Sequence, residues 1–80
     1  MSALKARVFV TLRDGVLDPQ GQAIEAALAG LGHGGIDSVR QGKLFEVELA
    51  EGDDARGRLE TMCEQLLANT VIERYEIEIE

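Results

Sequence analysis

Three stretches of alternating apolar and polar side chains, two apolar stripes at helical spacing and short connections predict an α+β domain in this 80-residue chain. The predicted order is β-α-β-β-α-β. That order implies a ferredoxin-like sandwich, a four-stranded antiparallel sheet with two helices on one face. Ala6, Val8, Val10 and Leu12 alternate with Arg7, Phe9, Thr11 and Arg13, so residues 5–13 read as a half-buried strand. Asp14-Gly15 ends it. Asp18 can cap the free N–H groups of a helix whose first position suits Pro19. Ala23, Ile24, Ala27, Leu28 and Leu31 form that helix's stripe, and Gly32 supplies a left-handed cap. Residues 36–41, with Ile36 and Val39, are expected as a short second strand, and Gln41-Gly42-Lys43 as a hairpin turn. Residues 44–50 follow as a strand with Phe45, Val47 and Leu49 inward. Asp53 or Asp54 caps a second helix running to about Ala68, with Ala55, Leu59, Met62, Cys63, Leu66 and Leu67 buried. Residues 71–80 close the sheet, with Tyr75, Ile77 and Ile79 on one face. The first strand is expected between the third and fourth. Arg7 and Arg13 would then lie between Glu46 and Glu48 on one side and Glu76 and Glu78 on the other.

The length suits a single domain, residues 1–80, with a marginal core. One cysteine, Cys63, cannot close a disulfide within the chain, and one cysteine with one histidine cannot build a Cys/His zinc site. Self-association is therefore the expected support. Eight basic against fifteen acidic residues leave a net charge of −7. That balance argues against nucleic acid, whose phosphates need a basic face, and against anionic membranes. No apolar run approaches a membrane span, and Met1–Arg7 lacks the apolar core of a secretory signal. With an unpaired thiol, these features point to the cytoplasm.

The residues that could carry chemistry are isolated. His33 sits in a glycine-rich loop without a partner for acid–base work. Cys63 lies on an apolar helix stripe, where nothing lowers its pKa. The strand glutamates share a face with Arg7 and Arg13, and a solvated ladder explains them. No dinucleotide or phosphate-loop pattern is present. Asp18 at the helix cap would repel an anion. No catalytic, cofactor-binding or metal-binding residue is expected, and the chain reads as a non-catalytic interaction or regulatory domain. The sheet face without helices, bearing Phe9, Thr11 and Leu44, is free to meet a second copy.

Val8-Phe9-Val10-Thr11-Leu12, Gly15-Val16-Leu17-Asp18-Pro19-Gln20-Gly21, Ala23-Ile24, Ala27-Leu28 and Leu31-Gly32 resemble the first half of the PurS family. That family is the small subunit of phosphoribosylformylglycinamidine (FGAM) synthase. Val39-Arg40-Gln41-Gly42-Lys43 with Glu46 is similar to its central hairpin. Met62 to Glu73, with Tyr75, is similar to its closing helix and strand. His33-Gly34-Gly35 departs from the family, where an aromatic is common.

The resemblance implies a part in purine biosynthesis, in the ATP- and glutamine-dependent conversion of formylglycinamide ribonucleotide to its amidine. ATP and magnesium are expected on a large partner, PurL, and none on this chain. Ammonia would come from a glutaminase, PurQ. The small subunit would dimerise or form a tetramer and join the two. Asp18 and Gln20 in the first loop, Arg40 and Lys43 at the hairpin, and Phe9 on the bare sheet are the expected interface residues. The alternative is a small-molecule sensor like the amino-acid-binding ACT modules, which share this topology.

Overall fold

Val8 and Val10 lie at the centre of the molecule because β1 (Ala3–Leu12) pairs on both edges. In the computed structural model, which describes residues 3–80, the sheet order is β2-β1-β3 and both pairings are antiparallel. β2 is Gly42–Ala50 and β3 is Glu73–Ile79. Val8 faces Phe45 on one side and Ile77 on the other. Alternation therefore gathers Ala6, Val8, Val10, Phe45, Val47, Leu49, Tyr75, Ile77 and Ile79 on one face. β1 takes the central place expected of it.

That face is covered by α2 (Ala55–Met62) and a π-helical turn (Cys63–Leu67). Asp54 starts α2: its Oδ1 accepts from the Gly57 N–H at 3.2 Å. Leu59 packs on Ala6 and Leu49, and Cys63 on Val8, Val10 and Ala68. The Ala68 N–H reaches back five residues to the Cys63 carbonyl at 3.0 Å. This wide turn shifts the phase of the helix. It brings Leu67 onto the sheet and turns Leu66 out, leaving it 84% exposed. The buried stripe expected at 55–67 is thus present except at Leu66, and the π-turn is the reason.

The Tyr75 hydroxyl donates to Glu64 Oε2 at 2.8 Å, linking β3 to the π-turn. This bond, with partial desolvation and the glutamate's charge, pushes the phenol pKa from 10.0 up to about 12. Folded Tyr75 keeps a proton that the unfolded chain loses near 10. The stabilisation is therefore complete below pH 10 and is lost as the pH climbs through about 12. Tyr75 is the only tyrosine and there is no tryptophan, so tyrosinate absorbance reports it alone. The native chain is expected to titrate close to 12 and Glu64→Gln measurably lower. Equal midpoints would remove the bond from the account.

α1 (Pro19–Gly30) behaves differently. Its termini follow the expected chemistry. Asp18 Oδ1 accepts from the Gly21 N–H at 2.9 Å. Gly32, at φ 97°, closes the C-terminus while the Gly32 and His33 N–H groups bond the Ala29 and Leu28 carbonyls. Yet only Gly21 of α1 is buried, and the helix contributes to neither core cluster. It projects from the sheet end as an arm. The molecule measures 51 × 27 × 15 Å, with a radius of gyration of 16.2 Å. A compact chain of this length would have about 12 Å. Ile24 and Leu31, the latter 76% exposed, carry the stripe outward.

Several expectations are corrected here. Residues 36–41 are not a strand: they return beside α1, not beside the sheet, and so have no ladder partner. Gly42 is consequently the first residue of β2, not the centre of a hairpin turn. Among the described residues the sheet has three strands, and only α2 with its π-turn lies over it. Arg13 is likewise outside the strand ladder. β1 ends at Leu12, and the Arg13 guanidinium donates twice to the Thr70 carbonyl, at 3.0 and 2.8 Å. Arg7 does sit opposite Glu46 and Glu78, with ion pairs to Glu78 at 3.6 Å and Glu80 at 3.5 Å. Such exposed pairs are each worth well under about 1 kcal/mol.

Candidate subunit interface

The arm leaves β1 and rejoins β2 at one place, and four of the five expected interface residues meet there. Asp18, Gln20 and Lys43 line a cleft of about 340 Å³ with Val10, Leu12, Gln41, Gly42 and Glu73. Arg40 lies on its neighbouring side, beside Val16 and Asp18. Phe9 is elsewhere, half-buried on the opposite sheet face near Thr11, Arg74 and Glu76.

Asp18 is 5% exposed, the only buried charged or polar side chain among the described residues. Its Oδ2 accepts from the Gln41 N–H at 2.7 Å, while Oδ1 holds the Gly21 N–H. These two bonds, Gln41's first, hold its pKa below the ordinary carboxylate value. Desolvation opposes them, and the nearby Arg40 charge adds to them. Gln41 Nε2 donates to Gln20 Oε1 at 2.6 Å. Arg40 spends its guanidinium on main chain: Nη1 donates to the Val16 carbonyl at 3.0 Å, and Nη2 to those of Arg13 at 3.2 Å and Leu12 at 3.4 Å. Lys43 Nζ pairs with Glu73 Oε2 at 3.5 Å, and Glu73 Oε1 accepts from the Asn69 N–H at 2.7 Å. Asp18 is thus buried and Arg40, though exposed, spends its guanidinium on main chain, while Gln20 and Lys43 are exposed and bond side chains.

The sequence reading did not single out Gln41, Glu73 or Gly21 as members of this cluster. Glu73 and Gln41 enter through sheet register and the returning segment, which local patterns do not display. Gly21 did carry a signal. A glycine in a first helical turn lowers helix propensity, and here a Cβ would meet the Val39 carbonyl oxygen and the Asp18 carboxylate.

Cys63 and His33 lie outside the cluster. Burial, then the charges of Glu64 and Glu60, pushes the Cys63 thiol up. That is the opposite of an activated nucleophile. His33 is an exposed loop residue whose backbone N–H completes the α1 cap. The cluster offers hydrogen-bonding and ionic groups at a surface, joined to an arm with an exposed apolar stripe.

The family model for PurS, phosphoribosylformylglycinamidine (FGAM) synthase, matches residues 5–80. The chain belongs to the PurS family. The PurS subunit of FGAM synthase from Mycobacterium leprae is 55% identical over 73 residues, covering 91% of each chain. The crystal structure of Bacillus subtilis PurS superposes with a TM-score of 0.89 at 44% identity, covering 96% of this chain and 98% of that one. The structure of PurLQS from Thermotoga maritima contains a chain matching with a TM-score of 0.88 at 33% identity, over 100% of both. PurS is a subunit of FGAM synthase, a multi-subunit enzyme of purine biosynthesis. The ligand-sensor alternative draws no support from these matches.

Proposed function

We propose that this chain is the non-catalytic small subunit of FGAM synthase, joining a PurL-type synthase subunit to a PurQ-type glutaminase. The observation that carries the reading is the full-length likeness to a chain of the PurLQS structure. The arm and cleft support it, since they offer contact surfaces without an activated nucleophile. ATP and magnesium belong on the large subunit in this reading, and the complex works in the cytoplasm. Ammonia released by one active site is lost to water or to protonation unless the second site is docked. A bridging subunit then raises turnover by holding the two in register without touching a reacting atom.

The chain also associates with itself in this reading, as a dimer or tetramer. The single chain leaves the α1 stripe uncovered, and its helix layer is only half built. A second copy would complete both, and with them the two-helix layer of the ferredoxin-like arrangement.

The test is glutamine-dependent FGAM synthesis by purified PurL and PurQ subunits, with and without this chain. Addition is expected to raise turnover by about tenfold or more, while the chain alone is inert. Unchanged turnover would overturn the reading.

A further inference from the structure

None of the buried hydrophobic residues among those described lies between residues 13 and 41. Packing against the core therefore does not hold the arm to the sheet. Side-chain bonds at its base do: Asp18 to Gly21 and Gln41, Arg40 to three carbonyls, and Gln41 to Gln20. Asp18 is central because a carboxylate only accepts, and its two oxygens face two N–H groups from opposite ends of the arm. One belongs to the start of α1, the other to the residue entering β2.

We infer that Asp18 is a positioning residue. Its carboxylate clasps the outgoing and returning ends of the arm and so sets the direction in which α1 leaves the sheet, which assembly of the synthase requires. Only that final clause rests on the subunit reading above. The clasp differs from an ordinary helix cap, which needs one oxygen, and from core support, because the sheet and α2 hold their own hydrophobic clusters without the arm.

Asp18→Asn separates these roles. Asparagine caps a helix as well as aspartate does, so the Gly21 bond survives. Its amide NH2 then faces the Gln41 N–H, and the second bond is lost. In the full chain, hydrogen exchange at the Gln41 amide is expected to rise about tenfold, while the Val8 and Val10 amides keep wild-type protection. Spin labels at Ala29→Cys and Glu76→Cys, diluted with unlabelled chain, are expected to show a narrow distance distribution that broadens in Asp18→Asn. Native Cys63 is fully buried and escapes labelling. In the reconstituted synthase, glutamine-dependent turnover is expected to fall about tenfold, with ammonium-supported turnover unchanged. Asp18→Ser, which caps but cannot span both amides, is expected to behave alike and serves if the asparagine variant does not fold.

Val8 and Val10 exchanging faster in parallel with Gln41 would reduce Asp18 to a fold-supporting residue and overturn the inference. An unbroadened label distribution would overturn it too. A broadened distribution with unchanged turnover would overturn the assembly clause. A wild-type chain that fails to stimulate turnover overturns the subunit reading, and exchange and label distances then decide the clasp alone.

Discussion

Leu59→Ala is expected to destabilise the chain by about 3–5 kcal/mol, the largest effect of any single truncation. Leu59 is fully buried, and it links α2 to both Ala6 of β1 and Leu49 of β2. Alanine would remove the side chain over a sheet whose main chain cannot move inward, so the cavity stays open. A domain of this size has only about 4–12 kcal/mol in total. The loss should lower Tm by about 12–40 °C in a circular-dichroism melt at matched protein concentration. Matching matters because self-association makes Tm depend on concentration. A shift below about 5 °C would mean that Met62 and Val47 close over the vacancy.

Gly21→Ala is the second. In an ordinary helix this change adds about 1 kcal/mol of stability. Here the new methyl would lie within contact distance of the Val39 main-chain oxygen and 2.6 Å from Asp18 Oδ2. The first neighbour is main chain, and the second is a buried carboxylate held by two hydrogen bonds. Relief requires moving the returning segment or breaking the carboxylate's bonds. Overpacking of about 1–3 kcal/mol and the loss of a charged hydrogen bond, about 1.5–3 kcal/mol, outweigh the helical gain. The net expectation is about 1.5–5 kcal/mol against the arm. Limited proteolysis should cut within residues 31–41 well before the sheet. A variant as resistant as wild type would show that the close approach is not needed.

The elements legible from the sequence were those whose pattern is local. Val8 and Val10, alternating with Phe9 and Thr11, announce β1 because a strand's two faces repeat every second residue. Pro19 after Asp18, and Gly32 after Leu31, mark the ends of α1 because cap chemistry acts within a few residues. Where α1 packs was not legible. The same stripe of Ile24 and Leu31 fits the chain's own sheet or another molecule. Residues 36–41 misled for a related reason. Ile36 and Val39 are apolar enough for a strand, but Asp18 and Arg40 tie the segment's exit to the base of the arm, away from any sheet edge. Asp18 and Arg40 stood out as polar residues near turns, which does not distinguish an outward contact from an inward bond. The π-turn at Cys63–Leu67 has no sequence mark at all, and Leu66 was lost to it.

The central position of β1 also dictates when this chain can fold. Its first strand pairs on one edge with residues 42–50 and on the other with residues 73–79. Doubling the loop that must close, from about thirty residues to about sixty, adds only about 0.6 kcal/mol of entropy. The larger cost is in time, since non-local pairing slows the search for the native state. During synthesis Val8 and Val10 emerge well before Tyr75 and Ile77, and they cannot be enclosed until those have followed. Closure of the sheet around β1 is thereby deferred until residues 73–79 have been made, and in the interval the apolar face of the strand stays uncovered.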